Sequence, residues 1–245
     1  MKWGPGALAS RMCVAAAVAA CTLLAYGGES EIREALKPSL PAGAKIEDVR
    51  PSPLPGIFEV RINADEIYYV DATGRYLFQG SLLDTQTRTN LTRERVEALH
   101  PLPLAKAPLQ DAIAMTRGDG KRKLVLFADP NCKHCKRLET ELVAVNDVTV
   151  YTFLIPILGP DSNAKARNIW CAADRGKAWA EWMLKNVEPP AVECPDTGAL
   201  TRNLNLAARH KVTGTPTLFF ADGSRVAGPV NAAEIDARLK AAARK

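Results

Sequence analysis

Residues 123–142, KLVLFADPNCKHCKRLETEL, decide the fold of this chain. The first part, Lys123–Phe127, is a short apolar run of the kind that forms a buried strand. The segment Lys136–Val145 has the apolar spacing of an amphipathic helix, with its two leucines on one face. Cys132 and Cys135 lie between the two. The pattern predicts a strand, a short turn and a Cys-x-x-Cys pair at the start of a helix.

The position of this pair suits disulfide exchange. A disulfide exchanges only when a thiolate attacks it, so one thiol must ionise readily. Cys132 falls where unpaired helix N–H groups and the helix dipole favour an anion. Cys135, one turn further on, is expected to be more buried and to act as the resolving thiol. We expect nearby basic side chains to lower the pKa of Cys132 further: Lys133, His134, Lys136 and Arg137.

Other chemistries that use a Cys-x-x-Cys pair fit the sequence less well. A zinc ribbon needs a second such pair, whereas Cys171 and Cys194 are far apart. Covalent haem needs His directly after the second cysteine, and Lys136 at that position excludes haem here. A purely structural disulfide does not account for the exposed position between strand and helix. We therefore predict a redox-active dithiol with no metal and no cofactor.

A second segment, Lys211–Phe220 (KVTGTPTLFF), places Pro216 just before a short apolar strand. Proline cannot donate to a sheet ladder, so it belongs at the start or edge of a strand. Only X–Pro bonds tolerate the cis form cheaply. Taken alone, the segment allows either a cis Thr215–Pro216 bond or an ordinary trans proline at a strand entrance.

The first residues have the layout of a secretory signal. Two basic residues flank the start of an apolar stretch, Met12–Ala25, which is too short for a comfortable membrane span. Small residues follow, so we predict cleavage near 25–28, with 1–27 as the signal peptide. The sequence VAAC ending at Cys21 also resembles a lipoprotein processing box, which leaves an acylated Cys21 as the alternative.

Export to an oxidising compartment makes disulfides expected. Two of the six cysteines fall in the predicted signal peptide, which leaves four. If Cys132 pairs with Cys135, then Cys171 pairs with Cys194, although four cysteines allow three connectivities. A bridge of that span would stabilise the fold by about 3 kcal/mol.

The composition indicates a folded protein without a nucleic-acid surface. The formal charge of +5 falls to +3 when Lys2 and Arg11 leave with the signal peptide. Because acidic and basic residues are interleaved, this small excess argues against a nucleic-acid partner. An apolar fraction of 47% and the remaining length suit two modest globular domains.

The patterns predict three regions after residue 27. Residues 28–91 form a small α+β region with a helix capped at Ser30, a strand and a hairpin; it buries little core alone, which favours pairing with a second copy. Residues 92–106 form a linker, in which a short helix is stopped by prolines. Residues 107–245 form the catalytic domain, whose further elements are predicted at Asp147–Ile157 (strand), Ser162–Lys185 (helical), Leu200–His210 (helix) and Asn231–Arg244 (helix capped by Asn231).

Three segments resemble the DsbC/DsbG family of periplasmic thiol:disulfide interchange proteins: Phe127–Glu139, Ile169–Asp174 (IWCAAD) and Gly214–Pro216. The resemblance covers nearly the whole mature chain. It implies a thioredoxin-like α/β fold with a helical insertion, preceded by a small α+β N-terminal dimerisation domain and a linker. It also implies a V-shaped homodimer in the periplasm.

By position, the resemblance makes Cys132 the nucleophile and Cys135 the resolving thiol. It places Lys133 and His134 in the active-site loop. By the same resemblance, Thr215 and a cis Pro216 form the substrate-contacting loop, and Cys171 pairs with Cys194 in a structural disulfide. It implies that the clients are misfolded or misoxidised exported proteins. A membrane thiol reductase of the DsbD type would keep the dithiol reduced.

Two departures from the pattern bear on activity. Many thioredoxins have a buried Asp six residues before the first cysteine, and Leu126 stands there, which suits an isomerase or oxidant better than a dedicated reductant. The dipeptide Lys133–His134 is more basic than we expect of isomerases and is similar to DsbA-type oxidases. We predict an isomerase. The alternatives are a dithiol oxidase, a client-specific reductase, a dimeric chaperone with secondary redox activity, and a conjugation-apparatus assembly factor.

Overall fold

The computed structural model describes residues 28–192, 194 and 196–244. The predicted signal peptide and Cys21 therefore lie outside the described residues. The chain divides into two compact units between Val96 and Glu97. Within the described residues, no helix has both the length and the apolar character needed to cross a membrane.

The first unit packs one helix against an antiparallel sheet. Residues 28–36 are helical (α1), so Ser30 lies inside the helix and the prediction that it caps the helix was wrong. Ile32 and Leu36 of α1 pack on the sheet against Val60 and Val70. The four strands pair in the order β1-β2-β3-β4. Their bounds are β1 Ile46–Pro51, β2 Ile57–Ile62, β3 Glu66–Asp71 and β4 Leu77–Gln79. The predicted strand is confirmed as β2, and the predicted hairpin as β3 and β4.

A short connecting stretch follows. Strands β5 (Leu83–Asp84) and β6 (Thr89–Asn90) form a small ladder, and helix α2 covers Leu91–Ala98. The helix ends before Pro101, because proline cannot continue a helix. Within the second unit, two single turns of 3-10 helix precede its sheet, at Leu104–Lys106 and Leu109–Asp111.

The second unit is built on a five-stranded sheet of order β11-β10-β8-β9-β7. Strands β8 and β9 are parallel and the other pairs are antiparallel. Residues of β8 alternate between the two faces: Leu124 and Leu126 join one core cluster, Val125 and Phe127 the other. The bounds are β7 Ile113–Arg117, β8 Arg122–Ala128, β9 Val148–Leu154, β10 Thr217–Phe220 and β11 Arg225–Ala227.

In the described part of the second unit, five helices cover this sheet. Helix α3 connects β8 to β9, α4 to α6 are inserted between β9 and β10, and α7 follows β11. This is the predicted thioredoxin-like architecture with a helical insertion. The Asn231 side chain accepts the N–H of Glu234 at 2.9 Å, which confirms the predicted cap of α7. The bounds are α3 Lys133–Val143, α4 Pro160–Cys171, α5 Arg175–Lys185, α6 Gly198–Arg209 and α7 Ala232–Ala242.

Candidate active site

The two neighbouring cysteines lie at the N-terminus of α3. The N–H of Cys132 donates to the carbonyl of Asp129 at 3.1 Å, which closes a tight turn between β8 and α3. Cys132 is the N-cap residue, and its Sγ accepts the N–H of Cys135 at 3.3 Å. Both thiols are free, with Cys132 5% exposed and Cys135 fully buried.

The surroundings separate the pKa values of the two thiols. A hydrogen bond from the Cys135 thiol lowers the pKa of Cys132 to about 5 although burial opposes this, and smaller contributions come from a hydrogen bond with Thr215 and from the backbone N–H groups of Cys135 and His134. Burial, followed by the contact with Cys132, raises the pKa of Cys135. At neutral pH, Cys132 is therefore a thiolate and Cys135 a thiol. This is the protonation pattern that nucleophilic attack on a disulfide requires.

Basic side chains contribute differently from our expectation. Lys133 and His134 are exposed on the first turn of α3. The Lys136 ammonium is directed elsewhere: it lies 3.7 Å from the centroid of the Trp182 ring and donates to Asn186 Oδ1 at 2.6 Å. The low pKa of Cys132 comes from hydrogen bonds with the Cys135 thiol, with Thr215 and with backbone N–H groups of the first turn, rather than from the charges that we expected to add to the effect.

The loop before β10 faces the same thiol. The Thr215–Pro216 peptide is cis, as the resemblance implied. The Cys132 thiol, when protonated, donates to the carbonyl of Thr215 at 3.3 Å. Thr215 is half-buried and Pro216 is buried. The fold thus brings together the Cys-x-x-Cys pair and the proline loop, which are about 80 residues apart in sequence.

Cys171 and Cys194 form a disulfide with a Cα–Cα distance of 5.4 Å. The bridge joins the end of α4 to the segment that precedes α6, and both half-buried residues pack against the core. Nearby, the indole N–H of Trp170 donates to the carbonyl of Asp196 at 3.1 Å. This disulfide therefore fastens the helical insertion.

A buried carboxylate at the active-site turn was not predicted from the sequence. Asp129 is completely buried and accepts four hydrogen bonds. Its oxygens receive the N–H of Asn131 at 2.7 Å and the N–H groups of Ile157 and Leu158 at 2.7 and 2.9 Å. The Ser162 hydroxyl donates the fourth, at 2.7 Å. Asp129 thus ties the turn to the loop after β9; an Asp at the end of an otherwise apolar strand was the available signal.

A second buried carboxylate lies inside α3. Glu139 is one turn beyond Cys135 on the apolar face and is fully buried. It accepts the indole N–H of Trp179 at 2.8 Å, and Arg117 lies 3.9 Å from its other oxygen. Burial raises its pKa. Its position on the apolar face of the predicted helix was the signal that could have revealed it.

No cluster of three or more His, Cys, Asp or Glu side chains suitable for a metal ion occurs among residues 28–192, 194 and 196–244. Cys132 and Cys135, a thiolate beside a protonated thiol, support exchange between sulfur atoms.

Comparison with known proteins identifies two domains in this chain. Residues 23–93 match the family model of the disulfide bond isomerase N-terminal domain, and residues 109–243 match that of a thioredoxin-like domain. The probable thiol:disulfide interchange protein DsbC of Bordetella pertussis is 42% identical over 197 residues, covering 80% of this chain and 69% of the relative. This chain belongs to the DsbC family.

A further curated relative and a solved structure are also similar to this chain. The thiol:disulfide interchange protein DsbC of Escherichia coli K12 is 29% identical over 195 residues, covering 76% of this chain and 78% of that protein. A crystal structure of a disulfide interchange protein from Neisseria gonorrhoeae superposes with a TM-score of 0.52 at 38% identity. It covers 55% of this chain and 97% of that chain. The family and the thioredoxin-like fold are therefore those predicted from the sequence.

Proposed function

We propose that this protein is a periplasmic thiol–disulfide isomerase that corrects non-native disulfides in exported proteins. The observation that carries the proposal is the difference between the two thiols of the Cys-x-x-Cys pair. Cys132 has a pKa of about 5 at the start of α3, whereas Cys135 is buried with a raised pKa. An ionised thiol beside a protonated one can attack a foreign disulfide and afterwards be released from it.

The reaction follows from these protonation states. The Cys132 thiolate attacks one sulfur of a wrong client disulfide; a mixed disulfide forms and the other client sulfur leaves as a thiolate. In isomerisation, a client thiolate attacks the mixed disulfide and the Cys132 thiolate leaves. In reduction, Cys135 loses its proton to solvent and attacks Cys132, which releases the reduced client. A low pKa makes Cys132 a good leaving group in the first route.

The residues around the thiols have separate roles in this proposal. Thr215 and cis Pro216 contact the client chain, since the carbonyl of Thr215 faces Cys132 at 3.3 Å. Lys133 and His134 are exposed beside the thiolate and meet the client first. Reduction consumes the dithiol, so a membrane thiol reductase of the DsbD type restores it.

The domain organisation completes the proposal. Residues 1–27 direct export and are removed, 28–91 form a dimerisation domain, 92–106 form a linker and 107–245 form the catalytic domain. Two copies pair through their N-terminal regions. Large apolar side chains exposed in that region support this assembly: Tyr76, Leu77, Phe78 and Leu83. Sedimentation of the mature protein should give twice the mass of one chain, and a monomer would contradict this part.

A refolding assay tests the isomerase activity. A client with scrambled disulfides should regain activity with the reduced wild-type protein and should not regain it with Cys132→Ser. Cys135→Ala should retain part of the isomerisation and accumulate client mixed disulfides, because a client thiol can still release Cys132. If Cys135→Ala loses all isomerisation while the wild type oxidises reduced clients, the protein is an oxidase instead.

The same variants separate the remaining alternatives. A client-specific reductase would reduce its clients stoichiometrically without recovering their activity. If the protein is a chaperone, the wild type and Cys132→Ala should prevent aggregation of an unfolded client equally well, and neither should turn over disulfides. Clients captured on Cys132 in the Cys135→Ala variant and identified by mass spectrometry would define the substrates.

A further inference from the structure

The turn that leads into Cys132 can in principle adopt two orientations. It runs from Asp129 to Cys132, with Pro130 and Asn131 as its central residues. Proline is favoured at the first central position in both type I and type II turns. Type II needs a positive φ at the second position, which Asn tolerates better than most residues. The two types differ by a flip of the central peptide. Asn131 does not have a positive φ, as in type I, which Asp at the first position also favours.

In the folded protein, this central peptide is held at both ends. Its N–H, from Asn131, donates to the carboxylate of Asp129 at 2.7 Å. Its C=O, from Pro130, accepts the indole N–H of Trp182 at 2.6 Å. A flip would break both hydrogen bonds at once and leave a half-buried indole N–H without this acceptor. The two bonds therefore stabilise this orientation.

Trp182 is itself held in place from several sides. Two ammonium groups lie over its ring, that of Lys136 at 3.7 Å and that of Lys165 at 4.8 Å. Asp161 pairs with Lys165 at 2.5 Å and accepts the side-chain amide of Asn131 at 2.7 Å. The indole and the turn are thus joined by a second route. Lys136 follows Cys135 directly, so the first turn of α3 is attached to the same ring.

We propose that Trp182 is a positioning residue for the thiolate: its indole N–H fixes the peptide between Pro130 and Asn131 and so aligns the start of α3 with Cys132. The Cys135 N–H donates to the Cys132 sulfur at 3.3 Å, and the turn that Trp182 holds leads directly into this helix start. Trp182 lies on α5, within the helical insertion. The insertion therefore tunes the reactivity of the active site. The inference rests on the proposed function, in which Cys132 is the nucleophile.

The test replaces Trp182 by Phe, which removes the N–H donor and keeps an aromatic ring under the two ammonium groups. Trp170→Phe is the matched control, because the Trp170 indole also donates to a backbone carbonyl, that of Asp196, and carries a cation over its ring, Arg175 at 3.7 Å. The readout is the rate of Cys132 alkylation as a function of pH, followed by mass spectrometry of its peptide.

We expect Trp182→Phe to raise the alkylation midpoint by about half a pH unit, which lowers the thiolate fraction near the wild-type midpoint about two-fold. Above about pH 7, the rate should change little, since the thiolate predominates in both proteins. Trp170→Phe should keep the wild-type midpoint. An unchanged midpoint in Trp182→Phe, or an equal shift in the control, would overturn the inference.

A measurement on the wild type guards against a variant that fails to fold. The Asn131 amide should exchange with solvent far more slowly than in an unstructured peptide, because a flip must precede its exposure. Exchange at the rate of an open loop would contradict the inference without any substitution. A failure of the proposed function gives a different result. If Cys132 of the wild type had the alkylation midpoint of an ordinary thiol, that function would be refuted, regardless of the result for Trp182→Phe.

Discussion

Cys132 and Cys135 are the same amino acid three positions apart, and only their surroundings give them different chemistry. The N-terminus of a helix predicts an anionic first thiol, and this prediction needs no tertiary structure. Charged neighbours were expected to add to the effect. In the structure, hydrogen bonds with the Cys135 thiol, with Thr215 and with two backbone N–H groups lower the pKa of Cys132 instead, while Lys136 contacts Trp182. The number of charges near Cys132 in the sequence does not show which group the ammonium of a flexible lysine side chain contacts.

The low pKa of Cys132 links the stability of the reduced protein to pH. The thiol titrates near 9.0 in an unfolded chain and near 5 in the fold, so between these values the unfolded state binds more protons. The stability contribution is therefore complete above about pH 9 and is lost as the pH falls through about 5. The difference in unfolding free energy between the reduced wild type and Cys132→Ser should grow with pH across this window, approaching about 1.4 kcal/mol per unit. Urea unfolding at several pH values measures it, and a constant difference would contradict the low pKa.

Among the elements, α3 and α5 build the active site together. Helix α3 was predicted with its buried leucines, and the region of α5 was predicted as helical. The interruption between α4 and α5, where the Asp174 side chain accepts the N–H of Lys177 at 2.9 Å, was not predicted. The contact between Glu139 on α3 and Trp179 on α5 was also missed, because the two residues are 40 positions apart.

Buried Glu139 should make the fold less stable as pH rises. Its folded pKa is raised above the ordinary 4.5 by burial, so the native state binds the extra proton and stability decreases as the pH rises through and above 4.5. Glu139→Gln cannot ionise and keeps an acceptor for the indole of Trp179. We expect the variant to gain stability relative to the wild type with increasing pH, by about 1 kcal/mol near neutral pH. Thermal unfolding of the oxidised protein, which lacks the thiol titration, measures this; a pH-independent difference would refute it.

For the whole molecule, contacts between distant segments hold the second unit together. The disulfide between Cys171 and Cys194 closes the insertion, and Arg225 forms a pair with Glu97 at 2.9 Å near the start of this unit. Arg225 also donates to the carbonyl of His210 at 2.7 Å. These contacts attach the chain that follows Val96 to the sheet. A linker was predicted across this stretch from the sequence, but the pair was not.

Removal of the structural disulfide should destabilise the protein without changing its active site. The bridge spans 23 positions, and restriction of the unfolded chain by such a loop is worth about 3 kcal/mol. The double variant Cys171→Ala, Cys194→Ala should lose about that much in urea unfolding. Its Cys132 alkylation midpoint should match the wild type. A shifted midpoint would show that the bridge contributes to thiol reactivity as well.

Breaking the pair of Glu97 and Arg225 should also be costly, because both side chains are largely buried, at 12% and 6% exposure. Glu97→Gln leaves the guanidinium without its carboxylate, and we expect a loss of about 3 kcal/mol. Glu94→Gln, on the exposed face of α2, is the control and should change stability by less than about 0.5 kcal/mol. Chemical unfolding compares the two, and equal losses would argue against a special role for the pair.

The amino-acid sequence alone was enough for the features that depend on neighbouring residues. Apolar runs and spacing identified strand β8 and helix α3, and the position of Cys132 at the helix start identified its chemistry. Pairings between distant residues required the folded chain. Asp129 is hydrogen-bonded to Ser162, 33 positions away, and Trp182 to Pro130, 52 positions away. Burial and hydrogen-bond partners of this kind depend on how remote segments pack together, and local pattern carries no record of that packing.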